Sequence, residues 1–154
     1  MLKRGADINS TDDNLITPLH YAASSLTDTA VIDLLIRYRA SVNTKINDGK
    51  TPLYLTALAR TTETAVIELL ISYRASVNAK INHGKTPLYL TALARTTETI
   101  VIKLLISHRA LVNILANNWL DGYTTLLGVI ASLGNIAICR YLVNYNANIE
   151  LGDL

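Results

Sequence analysis

Four copies of one short signature divide this chain: Thr17-Pro18-Leu19-His20, Thr51-Pro52-Leu53-Tyr54, Thr86-Pro87-Leu88-Tyr89 and a degraded Thr124-Thr125-Leu126-Leu127. Their spacings are 34, 35 and 38 residues. A period in the low thirties leaves room for a turn and two short helices per unit, which is the sequence mark of a helical solenoid. A second landmark keeps register with the first: a Leu-Leu pair, then a small-residue turn ending in Ile8-Asn9, Val42-Asn43, Val77-Asn78 or Val112-Asn113. Residues 45–78 and 80–113 differ only at Asp48/His83, Ala65/Ile100, Glu68/Lys103, Tyr73/His108 and Ser76/Leu111, as duplication of one unit produces.

Local chemistry assigns the elements. Pro at the first turn of a helix lacks an amide hydrogen that would have no partner there, and its φ is already helical. The preceding Thr is a natural N-cap. Helix A of the second unit therefore runs from Leu53 through Ala59, a turn follows near Arg60-Thr61-Thr62, and helix B spans Ala65 to Tyr73. Thr61 or Thr62 is expected to cap helix B, with Glu63 favoured by the helix dipole. Val66, Leu69, Leu70 and Tyr73 follow the i, i+3, i+4, i+7 spacing of one buried stripe. The same register predicts helices starting near Pro18, Thr29, Pro52, Thr64, Pro87, Thr99, Thr125 and Ile136, all too short to be stable without stacking on a neighbour.

These paired motifs closely resemble the ankyrin repeat over nearly the whole chain. The resemblance implies an all-α solenoid of stacked helix-turn-helix units with short β-hairpin fingers. It implies one domain over 1–154, with a partial unit at 1–9 and full units at about 10–43, 44–78, 79–113 and 114–150. Several positions depart from the family pattern. Gly is expected just after helix B, in a left-handed conformation, and Gly5 keeps it, but Arg39, Arg74 and Arg109 replace it in three units and Asn146 in the last. Two readings stand for the arginines: a cation that complements the helix C-terminus, or a column of guanidinium groups contacting an acidic partner. The family's Gly-His turn between the helices is absent and the turn is lengthened. Between Val112 and Thr124 the offset is 12, against 9 from Val77 to Thr86, so three residues enlarge the fourth finger around Asn117-Asn118-Trp119-Leu120-Asp121-Gly122-Tyr123. Val129-Ile130 stand where the family has small residues, and neither end reads as a polar cap. The expectation is a piece of a longer array, or ends covered by a partner, and this leaves end-to-end self-association open.

Composition excludes some functions. With 14 basic and 12 acidic residues the net charge is +2, too small for the concentrated basic face that nucleic acid requires. The single cysteine, Cys139, lies in an apolar run and reads as a small buried hydrophobe in a chain suited to a reducing, intracellular compartment, cytoplasmic or that of a host cell. No apolar run is long enough to span a membrane, and nothing at the start reads as a signal peptide. The histidines are dispersed: His20 sits in the signature, where the resemblance implies structural hydrogen bonds, His83 on a finger tip and His108 at a helix end. Neither a metal site nor an acid/base cluster follows from that spacing. Asp12-Asp13 reads as a solvated turn, and Asp48-Gly49-Lys50-Thr51 lacks the upstream glycine of a phosphate loop.

The function expected is therefore non-catalytic protein binding, with no cofactor. The resemblance places partner contacts on the finger tips, at Asp13, Asn14 and Ile16, at Asn47, Asp48 and Lys50, at Asn82, His83 and Lys85, and at Trp119, Leu120, Asp121 and Tyr123. The exposed face of helix A extends this surface through Ser24, Ser25, Arg60, Arg95 and Ser132. Trp119 either anchors a partner or folds back over its own loop insertion. The alternative function is a targeting or scaffold piece of a larger enzyme or pathogen effector.

Overall fold

The computed structural model describes residues 5–25, 28–59, 64–93, 99–118 and 122–145. Its helices are α1 (Pro18–Ser24), α2 (Thr29–Arg37), α3 (Pro52–Leu58), α4 (Ala65–Ser72), α5 (Pro87–Leu93), α6 (Ile100–Ser107), α7 (Leu126–Ser132) and α8 (Ile136–Asn144). Strands β1 (Leu115–Asn118) and β2 (Gly122–Thr125) pair antiparallel before α7, with Asn117 opposite Tyr123.

The signature threonines do what their chemistry dictates. Thr17, Thr51 and Thr86 sit at the N-caps of α1, α3 and α5, each accepting through its hydroxyl from the backbone N–H three residues on, at 3.4, 3.3 and 3.3 Å. In the fourth unit no proline fixes the start. Thr124 stays in β2 opposite Ala116, and Thr125 becomes the cap, its Oγ1 accepting from Gly128 N at 3.0 Å. The helix thus begins at Leu126, one residue beyond the expected Thr125. Among the helices B, Asp28 caps α2 and Asn135 caps α8. Thr64 and Thr99 precede α4 and α6 without a side-chain cap bond, and Thr61, Thr62 and Glu63 lie outside the described residues.

Stacking follows sequence order. Each helix A packs on the helix B of its own unit, the A helices pack in the series α1, α3, α5, α7, and α2 packs on α4. Leu19, Leu53, Leu88 and Leu126 are fully buried, as are Ile32, Ile67, Leu70 and Leu105. Ile67 was not on the expected stripe, while Leu69 and Tyr73 are only partly buried. A helix squeezed between its own partner helix and adjacent units buries a face wider than one stripe. Val129 and Ile130 are buried, so the larger side chains of α7 fill core rather than cover an end. Cys139 is partly buried against that core.

Asparagines rivet one unit to the next. Asn9, Asn43 and Asn78 each donate from Nδ2 to the carbonyl of Arg39, Arg74 or Arg109 in the following unit, at 3.0, 3.1 and 3.1 Å. Their Oδ1 atoms accept from Ser41 N, Ser76 N and Leu111 N at 2.8, 2.7 and 2.8 Å. The three arginines hold φ values of 70, 64 and 66°, the left-handed conformation expected of a glycine. Such a conformation costs a residue with a Cβ about 1–2 kcal/mol. An exposed cation at a helix C-terminus returns about 0.3–1 kcal/mol, so the dipole alone leaves net strain.

Candidate functional site

The fingers are short because each closes on itself. In the second, Ile46 N donates to Lys50 O at 3.0 Å and Gly49 N to Ile46 O at 2.7 Å; in the third, Ile81 N donates to Lys85 O at 3.0 Å and Gly84 N to Ile81 O at 3.1 Å. Neither forms strands, so among the described residues the expected β-hairpin is realised only in the fourth finger, which its extra residues lengthen enough for a ladder. Gly49 and Gly84 hold φ near 80°, at 80 and 78°. A Cβ on Gly84 would lie 3.2 Å from Leu115 O, and one on Gly49 3.4 Å from Ile81 Cα, so each finger lies tightly against the next.

The first finger lacks that glycine. Leu15 takes the same place at φ 62°. Asp12 compensates: its Oδ1 accepts from Asn14 N and Ile16 N, both at 2.9 Å, and its Oδ2 accepts from Tyr21 Oη at 2.8 Å. These bonds, the Ile16 amide first and the Tyr21 hydroxyl next, hold the Asp12 carboxyl below its ordinary pKa. Asp12 is exposed, as expected of a solvated turn, and it also organises that turn. The signal was present as an Asp two residues before an Asn-Leu turn.

Of the expected contact residues, Asp13, Asn14, Asn47, Asp48, Asn82, His83 and Tyr123 are exposed, and Ile16, Lys50 and Lys85 are half-buried. Asn47 N approaches Asn14 O at 3.5 Å, which brings the first two tips together. Lys50 Nζ pairs with Asp48 Oδ2 at 2.7 Å on one tip, and His83 stands where that carboxylate would be on the next. Ser24, Ser25 and Ser132 are exposed on the helix A side. Arg60, Arg95, Trp119, Leu120 and Asp121 lie outside the described residues. Sequence reasoning missed Leu58 and Leu93, the last residues of α3 and α5, which are 45% and 38% exposed and give the helix A side an apolar component. Their only signal was recurrence at one place in the duplicated units.

His20 is structural. It is fully buried, its Nε2–H donates to Thr44 O at 3.0 Å, and Nδ1 faces Thr17 Oγ1 at 2.8 Å. Burial pushes its pKa down, partly opposed by the carbonyls of Lys50 and Thr44. Tyr54 and Tyr89 occupy the same place in the next two units, both buried, and Tyr89 Oη meets Thr124 Oγ1 at 2.7 Å. Among the described residues no group of three or more His, Cys, Asp or Glu is placed to hold a metal ion. None of the described helices is long and apolar enough to cross a membrane.

A groove of about 500 Å³, lined by Pro18, Tyr21, Ala22, Ser25, Val31 and Leu35, opens on the first unit. Val66 and Leu70 stand one unit on from Val31 and Leu35 and are covered by the first unit. The groove is the equivalent surface of the first unit, open among the described residues.

A comparison with curated proteins finds no match. The family model for ankyrin repeats, in three copies, matches residues 1–81 and 62–153. Ankyrin repeats are generally protein–protein interaction modules, and the family is typically non-catalytic. Capped helix pairs stacked in sequence order, asparagine-riveted from unit to unit, together with a family match over nearly every residue, place this chain in the ankyrin repeat family.

Proposed function

We propose that the chain is a non-catalytic module that binds another protein through its finger tips and helix A face. The observation that carries this reading is the finger row itself. Asn14, Asn47, Asp48, Asn82, His83 and Tyr123 are exposed on tips whose backbones close on themselves and, from the second finger on, lie tightly against the next. A rigidly supported, chemically varied row binds with little ordering cost. Lys50, Lys85, Arg60 and Arg95 extend it with positive charge, and Leu58 and Leu93 add apolar area. Trp119, Leu120, Asp121 and Tyr123 form the anchor of the site, because aromatic residues at the centre of an interface carry most of its energy. The small net charge and the dispersed histidines support a protein partner over nucleic acid or a metal-dependent reaction. Sequential helix contacts support one stacked domain of a partial unit 1–9 followed by units 10–43, 44–78, 79–113 and 114–150. A lone cysteine supports an intracellular setting.

Hydrogen exchange of the chain, alone and with a partner captured from lysate, tests the site. Protection on binding is expected in residues 12–16, 46–50, 81–85 and 115–125 and at the C-terminal ends of α1, α3, α5 and α7. Protection confined to α2, α4, α6 and α8 would overturn the assignment.

A further inference from the structure

The arginine column is a site of its own. Arg39, Arg74 and Arg109 are exposed, one per unit, at the same place after helix B. None of the three makes an ion pair among the described residues, where the ion pairs are Arg37–Asp33 and Lys50–Asp48. Their carbonyls are held alike by Asn9, Asn43 and Asn78, so the backbone presents each arginine in one repeated geometry. Arg37 already supplies a cation in the last turn of α2, whereas α4 and α6 carry no basic residue in theirs. Duplication carries Arg39 as well as Arg74 and Arg109, since residues 27–45 and 62–80 differ only at Asp28/Glu63, Asp33/Glu68, Arg37/Ser72 and Thr44/Ala79. A strained conformation kept three times, with no ion pair to the side chain among the described residues, motivates a functional reading.

We infer that Arg39, Arg74 and Arg109 form a docking stripe for an extended acidic segment of another protein, one carboxylate per unit. Packed helices lie about 8–10 Å apart, and an extended peptide advances about 3.3–3.6 Å per residue. Carboxylates at every third residue therefore match the unit spacing, each able to meet a guanidinium fork in the bidentate geometry arginine favours. A nucleic-acid strand fits poorly: its phosphates come every 3.4 Å or so along the axis, leaving most of them opposite no cation. This stripe lies at the ends of the helices B and does not depend on the finger surface proposed above.

The triple substitution Arg39→Gly/Arg74→Gly/Arg109→Gly tests it cleanly, because glycine suits these φ values and the asparagine bonds go to backbone atoms. Circular dichroism and urea titration confirm the fold first. Fluorescence anisotropy then follows binding of a labelled peptide with glutamate at every third position, in low salt. The parent should bind it saturably and more tightly than a peptide with the same glutamates contiguous. The glycine variant should bind about tenfold more weakly. A charge-matched Lys45→Ala/Lys80→Ala/Lys103→Ala variant, outside the finger contact set, should change by less than about twofold. No saturable binding by the parent, undiminished binding by the glycine variant, or equal loss in the lysine variant overturns the inference. Tighter binding of an oligo-dT strand of equal charge would assign the stripe to nucleic acid instead.

Discussion

Arginine at a left-handed position sets the strain of its Cβ against the flexibility that glycine would bring to the unfolded chain. The first term is about 1–2 kcal/mol and the second about 0.4–1 kcal/mol. At Arg74, where φ is 64°, the first outweighs the second, and the Asn43 bond to the Arg74 carbonyl survives substitution. Arg74→Gly should therefore leave stability unchanged or raise it by up to about 1 kcal/mol in urea denaturation; a clear loss would mean that the side chain makes stabilising contacts. His20 carries a different signature. Its folded pKa lies below 6.5, so the unfolded chain binds the proton first as pH falls. The stability it contributes is complete above about pH 6.5 and is lost as pH drops through the depressed folded value. His20→Tyr, which installs the residue found at Tyr54 and Tyr89, should flatten the fall in stability below about pH 6.5, where tyrosine does not titrate. An unchanged slope would place the titrating group elsewhere. The arginine anomaly was legible in the sequence because a repeated motif shows what belongs at each place. Leu15 was not, since its left-handed turn rests on Asp12 bonds that replace the Gly49 of the next finger.

Helix positions were legible almost to the residue, because Thr-Pro fixes both the cap and the first φ. One slip of a helix A is instructive: where Pro is missing, at Thr124-Thr125, the cap slides by one and β2 keeps Thr124. Of the expected finger hairpins, the fourth carries strands among the described residues, while two closing hydrogen bonds complete the second and third before a ladder can start. The asparagine rivets were missed, although their signal was plain: an Asn ending each unit recurs at the unit period, which no intra-unit role requires. Asn43 carries two bonds to the end of α4 and its turn, through Arg74 O and Ser76 N. Asn43→Ala should cost about 1–2 kcal/mol, and Asn43→Asp, which keeps the acceptor and loses the donor, roughly half as much. Denaturant midpoints of the two variants measure this, and equal losses would show that the rivet does not act through its separate bonds.

At the scale of the molecule, each unit contacts its neighbours and little else, so rigidity accumulates along the stack and is spent at its edges. The fold could be read from the repeat period. The site could be read only as a place on the family's architecture, because finger sequence records what is exposed and not what it meets. Its enlarged fourth finger is where this chain differs most from its own template: β1 and β2 lift Tyr123 to 62% exposure, beside the stretch that contains Trp119. The most direct test of the account is titration calorimetry of the hydrogen-exchange partner against folded Trp119→Ala, Tyr123→Ala and Lys85→Ala variants. The aromatic substitutions should each cost about 2 kcal/mol or more of binding free energy and the lysine less than about 1 kcal/mol. Binding by both aromatic variants as tight as the parent's would contradict the finger surface as the site of recognition.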